Sequence, residues 1–245
     1  MRSRYLSGLA LLGLPYLGYV AATWWRYGRP TPPRAGDASP LDAFLPHPEV
    51  AERHETEVLA PAAVTFAVAR ELDIQRSPLV RAIFAVRTLP AQLGGAPARQ
   101  PESLLSETQA LGWRILAETP GRSIVLGAVT QPWRAAVRFR GLDPDAFTAF
   151  AEPGYARIVW SLEAIPSSAT TSRFRTETRV DTTDPPARAR FRAYWAALSP
   201  GILLIRRASL DLVKREAEAR YRSELATGAP PSQPLQSRFT QPVVG

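Results

Sequence analysis

The chain reads YARIVWSLEAI at residues 155–165 and SRFRTETRVD at residues 172–181, and these two stretches decide its architecture. In the first, Ala156, Ile158, Trp160, Leu162 and Ala164 alternate with Arg157, Ser161 and Glu163. In the second, Phe174, Thr176, Thr178 and Val180 alternate with Arg173, Arg175, Glu177 and Arg179. A period of two sends each set to its own side of a strand, so both stretches predict β-strands with one apolar face. Glu177, flanked by arginines, falls on the polar face. That placement predicts a solvated ladder of ion pairs of small energetic weight.

Upstream, residues 113–119 and 122–130 are joined by Pro120-Gly121, a turn dipeptide that predicts a hairpin. Earlier still, HETEVL at residues 54–59 alternates as a strand, and Pro61 opens an apolar helical run, AAVTFAVAREL. Ser77-Pro78 predicts a second short helix, which ends near Leu89-Pro90. Downstream, Asp184-Pro185 starts a long helix whose stripe of Phe191, Trp195, Leu198, Ile202 and Ile205 repeats at helical spacing. Pro200-Gly201 lies inside that run and predicts a kink or short break. The element order is a strand, short helices, an antiparallel run of strands and one long amphipathic helix. It predicts an α+β two-layer fold in which the helix covers the apolar face of the sheet.

The ends of the chain differ in character. Residues 5–25, YLSGLALLGLPYLGYVAATWW, carry no charge. As a helix they would reach roughly 31 Å, enough to cross a hydrocarbon core. Arg2 and Arg4 precede the segment, Arg26 and Arg29 follow it, and Tyr5, Trp24, Trp25 and Tyr27 sit where interfacial aromatics belong. This reading makes residues 1–27 a transmembrane anchor and places the protein in a membrane, single-pass, in a bacterial inner membrane. The competing reading is a signal peptide cleaved after Val20-Ala21-Ala22. Arginines flank both ends equally, so orientation stays open. Residues 28–50 carry six prolines, including Pro30, Pro32 and Pro33, and predict a semi-rigid linker. Residues 51–224 form the folded domain, and residues 225–245 read as a disordered Pro/Ser/Gln tail.

Composition excludes several chemistries. Cysteine is absent, which removes disulfides, thiolate nucleophiles and Cys-ligated metals. The two histidines, His47 and His54, are too few and too poorly spaced for a histidine metal site. There is no G-x-S-x-G, P-loop or G-x-G-x-x-G motif. No metal, cofactor or catalytic residue is therefore expected. The net charge is +8, carried almost wholly by arginine, with Lys214 the single lysine. Arg206, Arg207, Lys214, Arg215, Arg220 and Arg222 fall along the latter part of the long helix. As one surface they would attract anionic lipid, at about 1 kcal/mol for each residue near the headgroups. No nucleic-acid motif accompanies the arginines, so no nucleic-acid partner is expected.

Four segments carry a family resemblance: VLAPAAVTFA (58–67), PGYARIVW (153–160), TETRV (176–180) and RFRAYW (190–195). Over residues 50–220 the chain resembles the SRPBCC superfamily, which comprises START domains and polyketide cyclase/dehydrase-like and birch-pollen-allergen-like proteins. The resemblance implies a helix-grip fold, in which a curved antiparallel sheet wraps the C-terminal helix and leaves an apolar cavity. Leu126, Trp133, Ile158 and Trp160 would line that cavity from the strands. Phe174, Thr176 and Thr178 would join them, with Phe191 and Trp195 facing them from the helix. The same side chains could equally fill an ordinary core. Three functions follow from this arrangement. The first is a membrane-tethered binding module for an apolar small molecule such as a lipid, quinone or isoprenoid. The second is a cyclase/dehydrase-type enzyme, with a carboxylate or Arg at the cavity acting on a polyketide-like substrate. The third is an interaction domain whose core is filled. An inward, desolvated carboxylate would favour the second over the first.

Overall fold

The computed structural model of the chain describes residues 15–29, 38–72 and 104–228. Helix α1 covers 15–26, and a short 3-10 turn follows at Pro40–Ala43. Strand β1 is Val50–Val58, helix α2 Ala62–Glu71 and helix α3 Leu104–Ala110. Next come β2 (Arg114–Thr119), β3 (Ser123–Thr130), β4 (Phe139–Arg140) and helix α4 (Pro144–Thr148). Strands β5 (Ala156–Pro166) and β6 (Ser172–Thr182) lead into helix α5, Pro185–Thr227. The helix expected to start at Ser77-Pro78 lies outside the described residues.

The sheet is antiparallel throughout, in the order β1-β6-β5-β3-β2, with β4 paired to the free end of β3. The two decisive stretches pair with each other, Trp160 opposite Thr178 and Leu162 opposite Thr176. The expected hairpin forms at Pro120-Gly121. Gly121 takes a φ of 70°, the left-handed region that the third residue of a type II turn needs. The Arg122 amide closes the turn on the Thr119 carbonyl at 3.0 Å.

Helix α5 starts as its sequence predicts. Asp184 is the N-cap, its carboxylate accepting from the Ala187 amide at 2.6 Å, and prolines occupy the first helical positions. Its 43 residues extend about 64 Å at the standard rise. Of the kink or short break expected at Pro200-Gly201, the break does not occur: the helix runs through both residues. A proline removes one main-chain bond and crowds the turn before it. Here α1 lies along the same turns: the Tyr16 hydroxyl donates to the Ala197 carbonyl at 2.7 Å, and Tyr19 Oη is 3.3 Å from Ser199 Oγ. Leu198 also departs from expectation. It was expected on the buried stripe but is 46% exposed, whereas Ser199, against α1, is buried.

The helix grips the inner face of the sheet at two places. Phe191 and Trp195 pack with Val50, Ala156 and Val180. Further along, Leu210, Val213 and Ala217 pack with Phe174, Leu162 and the apolar side of α2. A long C-terminal helix laid on a six-stranded antiparallel sheet is the helix-grip arrangement expected above.

The outer face differs from expectation. Leu41 and Leu45, from the Pro-rich stretch, are buried with Phe147 of α4 against Val125, Val129 and Val159. This cover changes the setting of Glu177, which lies on the outer face as its period-two position requires but is only 2% exposed. Its carboxylate accepts from Ser39 Oγ at 2.9 Å, Arg53 Nε at 3.0 Å and Arg179 Nε at 2.7 Å. The solvated ladder is therefore a buried network. Strand alternation identifies a face, and a segment 138 residues away in sequence closes it.

Among the described residues no helix is long and apolar enough to cross a membrane. Residues 5–14 of the expected anchor lie outside the described residues. The part that is described joins the domain firmly. Tyr27 packs in the cluster of Phe191 and Trp195, its hydroxyl donating to Glu49 at 2.5 Å. Arg192 donates through two nitrogens to the Trp24 carbonyl and lies 4.2 Å from the centre of the Trp24 ring.

A candidate ligand cavity between sheet and helix

Between the two places where α5 meets the sheet, its middle turns stand away from β5 and β6. A cavity of about 320 Å³ remains there, within the lower range of small-molecule sites. Ile158, Trp160 and Leu162 of β5 and Phe174, Thr176, Thr178 and Val180 of β6 form its floor. Phe191, Tyr194, Trp195, Ile202, Ile205, Arg206 and Ser209 of α5 form its roof. Trp113 and Phe139 close one side, their rings 5.1 Å apart, and Trp113 meets Trp160 edge-on at 6.4 Å.

Seven of the nine side chains expected at the cavity line it: Ile158, Trp160, Phe174, Thr176, Thr178, Phe191 and Trp195. Leu126 is fully buried in the solid core beside the cavity, opposite Trp160 in the strand register. Trp133 is half-buried against the Phe191 cluster and does not reach the lining. Sequence reasoning missed Trp113, Phe139, Tyr194, Arg206 and Ser209. Arg206 and Ser209 were legible in principle, because they continue the stripe four residues beyond Ile202 and Ile205.

The cavity has one polar patch. Arg206 was expected on a basic surface, and instead its guanidinium turns inward. It donates to the Glu52 main-chain carbonyl at 2.9 Å and to Thr178 Oγ1 at 2.5 Å. Burial pushes its pKa down to about 10, with the charges of Glu52 and Glu177 opposing the shift. The remainder of the expected basic surface is also partly engaged. Lys214 donates to the Glu57 carbonyl, and Arg220 pairs with Glu71 and Glu224. Among the described residues that line the cavity, Arg206 carries the only formal charge. The carboxyls that burial pushes above their ordinary range, Glu52 and Glu163, are not in the lining. No group of His, Cys, Asp and Glu suited to a metal ion occurs among the described residues.

Behind the patch, Glu52 and His54 of β1 stand opposite Thr178 and Thr176. His54 Nδ1 is buried without a hydrogen-bond partner among the described residues. Burial first, then the charges of Arg206 and Arg207, lower the His54 pKa. A base whose folded pKa is depressed stabilises the fold above its unfolded value, and that stability is lost as pH falls. Compared with His54→Gln, the native chain should lose stability as pH falls through about 6.5, the ordinary imidazole value, and below it. Urea midpoints of the two proteins above and below that value test this. A constant difference between them would show that folding leaves the His54 pKa unchanged.

No family model matches the chain, and no curated protein matches it. Similar solved structures exist at low identity. A norcoclaurine synthase point mutant from Thalictrum flavum, in complex with a transition-state analogue, is 9% identical, with a TM-score of 0.31. That match covers 70% of this chain and 95% of the synthase. The Zhui aromatase/cyclase from Streptomyces sp. R1128 is 15% identical, with a TM-score of 0.27, over 70% of this chain and 94% of the cyclase.

Proposed function

We propose that this chain is a membrane-tethered binding module that holds an apolar small molecule between its sheet and its C-terminal helix, as SRPBCC proteins do. The observation that carries the reading is a cavity of about 320 Å³ walled by aromatic and aliphatic side chains. Burying apolar ligand surface there would contribute roughly 25 cal/mol per Å², and the wall has a single charged group to orient the ligand. The cyclase alternative keeps one candidate group, Arg206, with no carboxylate beside it among the described lining residues, and binding is preferred because the wall is otherwise apolar. The tether rests on the uncharged segment 5–25. Arg192 of α5 holds the Trp24 carbonyl at the end of α1, and Tyr27, just after it, packs with Phe191, so an anchor there would lie close to the helix that roofs the cavity.

Native mass spectrometry of the chain extracted in mild detergent tests both parts. The expected spectrum has the intact N-terminus and a released apolar molecule, and the stripped protein takes up an apolar fluorophore. A mature terminus at Thr23 would remove the tether. A bare protein that takes up no fluorophore would remove the ligand.

A further inference from the structure

Arg206 has a simple structural reading, as a staple from α5 to strand β1. Its two hydrogen bonds go to neutral oxygens, the Glu52 carbonyl and the Thr178 hydroxyl. A neutral donor would serve such a staple without the cost of enclosing a cation. A guanidinium has five N–H donors in a planar fork that matches a carboxylate. This one stands in the wall of an apolar cavity, with the hydroxyls of Thr176, Thr178 and Ser209 also in the lining. No other described lining residue is charged, and the carboxylates that act on it, Glu52 and Glu177, lie outside the lining.

From this geometry we infer that the cavity selects an acidic amphiphile, a compact apolar body ending in one carboxylate, with the carboxylate seated on Arg206. The inference rests on the ligand-binding reading above and names its ligand class. A monocarboxylate fits better than a phosphate, because burying a second negative charge against a single guanidinium adds a desolvation cost with no partner. The apolar body would lie against Trp160, Phe174 and Trp195, and the Thr176 and Thr178 hydroxyls would donate to the carboxylate. A bound carboxylate would also return to Arg206 some of the stabilisation of its charge that burial removes in lowering its pKa to about 10.

The test compares two probes of nearly equal shape, 2-naphthylacetate and 2-(2-naphthyl)ethanol. Each is titrated calorimetrically into the full-length chain against a protein-free blank. At about pH 8 the acid is ionised and Arg206 remains charged. The native chain should bind the acid roughly ten- to a hundredfold more tightly than the alcohol, the ratio expected for hydrogen bonds to a charged group. Arg206→Met should bind the two alike, and Arg206→Lys should keep part of the preference. Equal affinities in the native chain, or a preference that survives in Arg206→Met, would overturn the inference and leave the apolar cavity standing. If neither probe binds, the ligand-binding reading falls as well. A measurement on the native chain alone covers a variant that does not fold. The carboxyl of 13C-labelled 2-naphthylacetate, followed by NMR, should titrate at lower pH when bound than when free. A bound value equal to or above the free one sinks the idea.

Discussion

Replacing Glu177 with alanine is expected to cost about 3–5 kcal/mol of folding stability, the range for breaking a buried ion pair from one side. Glu177 and Arg179 are 2% and 4% exposed, so neither charge can turn to water when its partner is removed. The same carboxylate accepts from Ser39, whose hydroxyl in turn caps the Leu41 amide at the turn Pro40–Ala43. Arg179 is held further by Asp42 at 2.7 Å and by the Leu45 carbonyl at 2.9 Å. Losing the carboxylate therefore takes an acceptor from two guanidiniums, those of Arg53 and Arg179, and loosens the segment that closes the outer face. An exposed pair serves as the control: Arg140 and Glu152 are about half exposed and 2.9 Å apart. Glu152→Ala should cost no more than about 1 kcal/mol. Urea denaturation of both variants decides the matter. A loss near 1 kcal/mol in Glu177→Ala would show that the network is solvated after all.

The second large effect separates a filled core from a cavity. Phe147 of α4 is fully buried among Leu116, Val125, Val129 and Val159, packed on all sides. Phe147→Ala should lose about 3–5 kcal/mol, as large-to-small changes in a packed core do. Trp195 is 6% exposed and stacks on Phe191 at 6.1 Å, but it also borders the cavity and has fewer neighbours to lose there. Trp195→Ala should therefore fall below about 3 kcal/mol, despite the larger side chain. It should also lose uptake of an apolar fluorophore, which Phe147→Ala should keep wherever it remains folded. Equal penalties for the two, with no uptake by the native chain, would make Trp195 an ordinary core residue.

The sequence by itself determined which side chains share a face. The alternation through Trp160 and Thr178 put the future cavity floor on one side of β5 and β6. The stripe through Phe191 and Trp195 supplied the roof, and Asp184-Pro185 marked the start of the helix. These properties follow from backbone geometry within a few residues, and seven of the nine expected cavity residues are where that geometry puts them. What a face meets is decided elsewhere in the chain, and period-two or helical spacing carries no information about it. Glu177 is buried because Ser39 and the turn after it fold over the outer face. Arg206 leaves the surface because Thr178 and the Glu52 carbonyl stand within reach across the sheet. Leu198 stays exposed while Ser199 beside it is buried, with α1 bonded there through Tyr19. Whether the inner face closes into a core or keeps a cavity depends on how far α5 stands from the sheet between its two points of contact. That distance is set by the packing of the Phe191 and Leu210 clusters at either end, and only the tertiary structure supplies it.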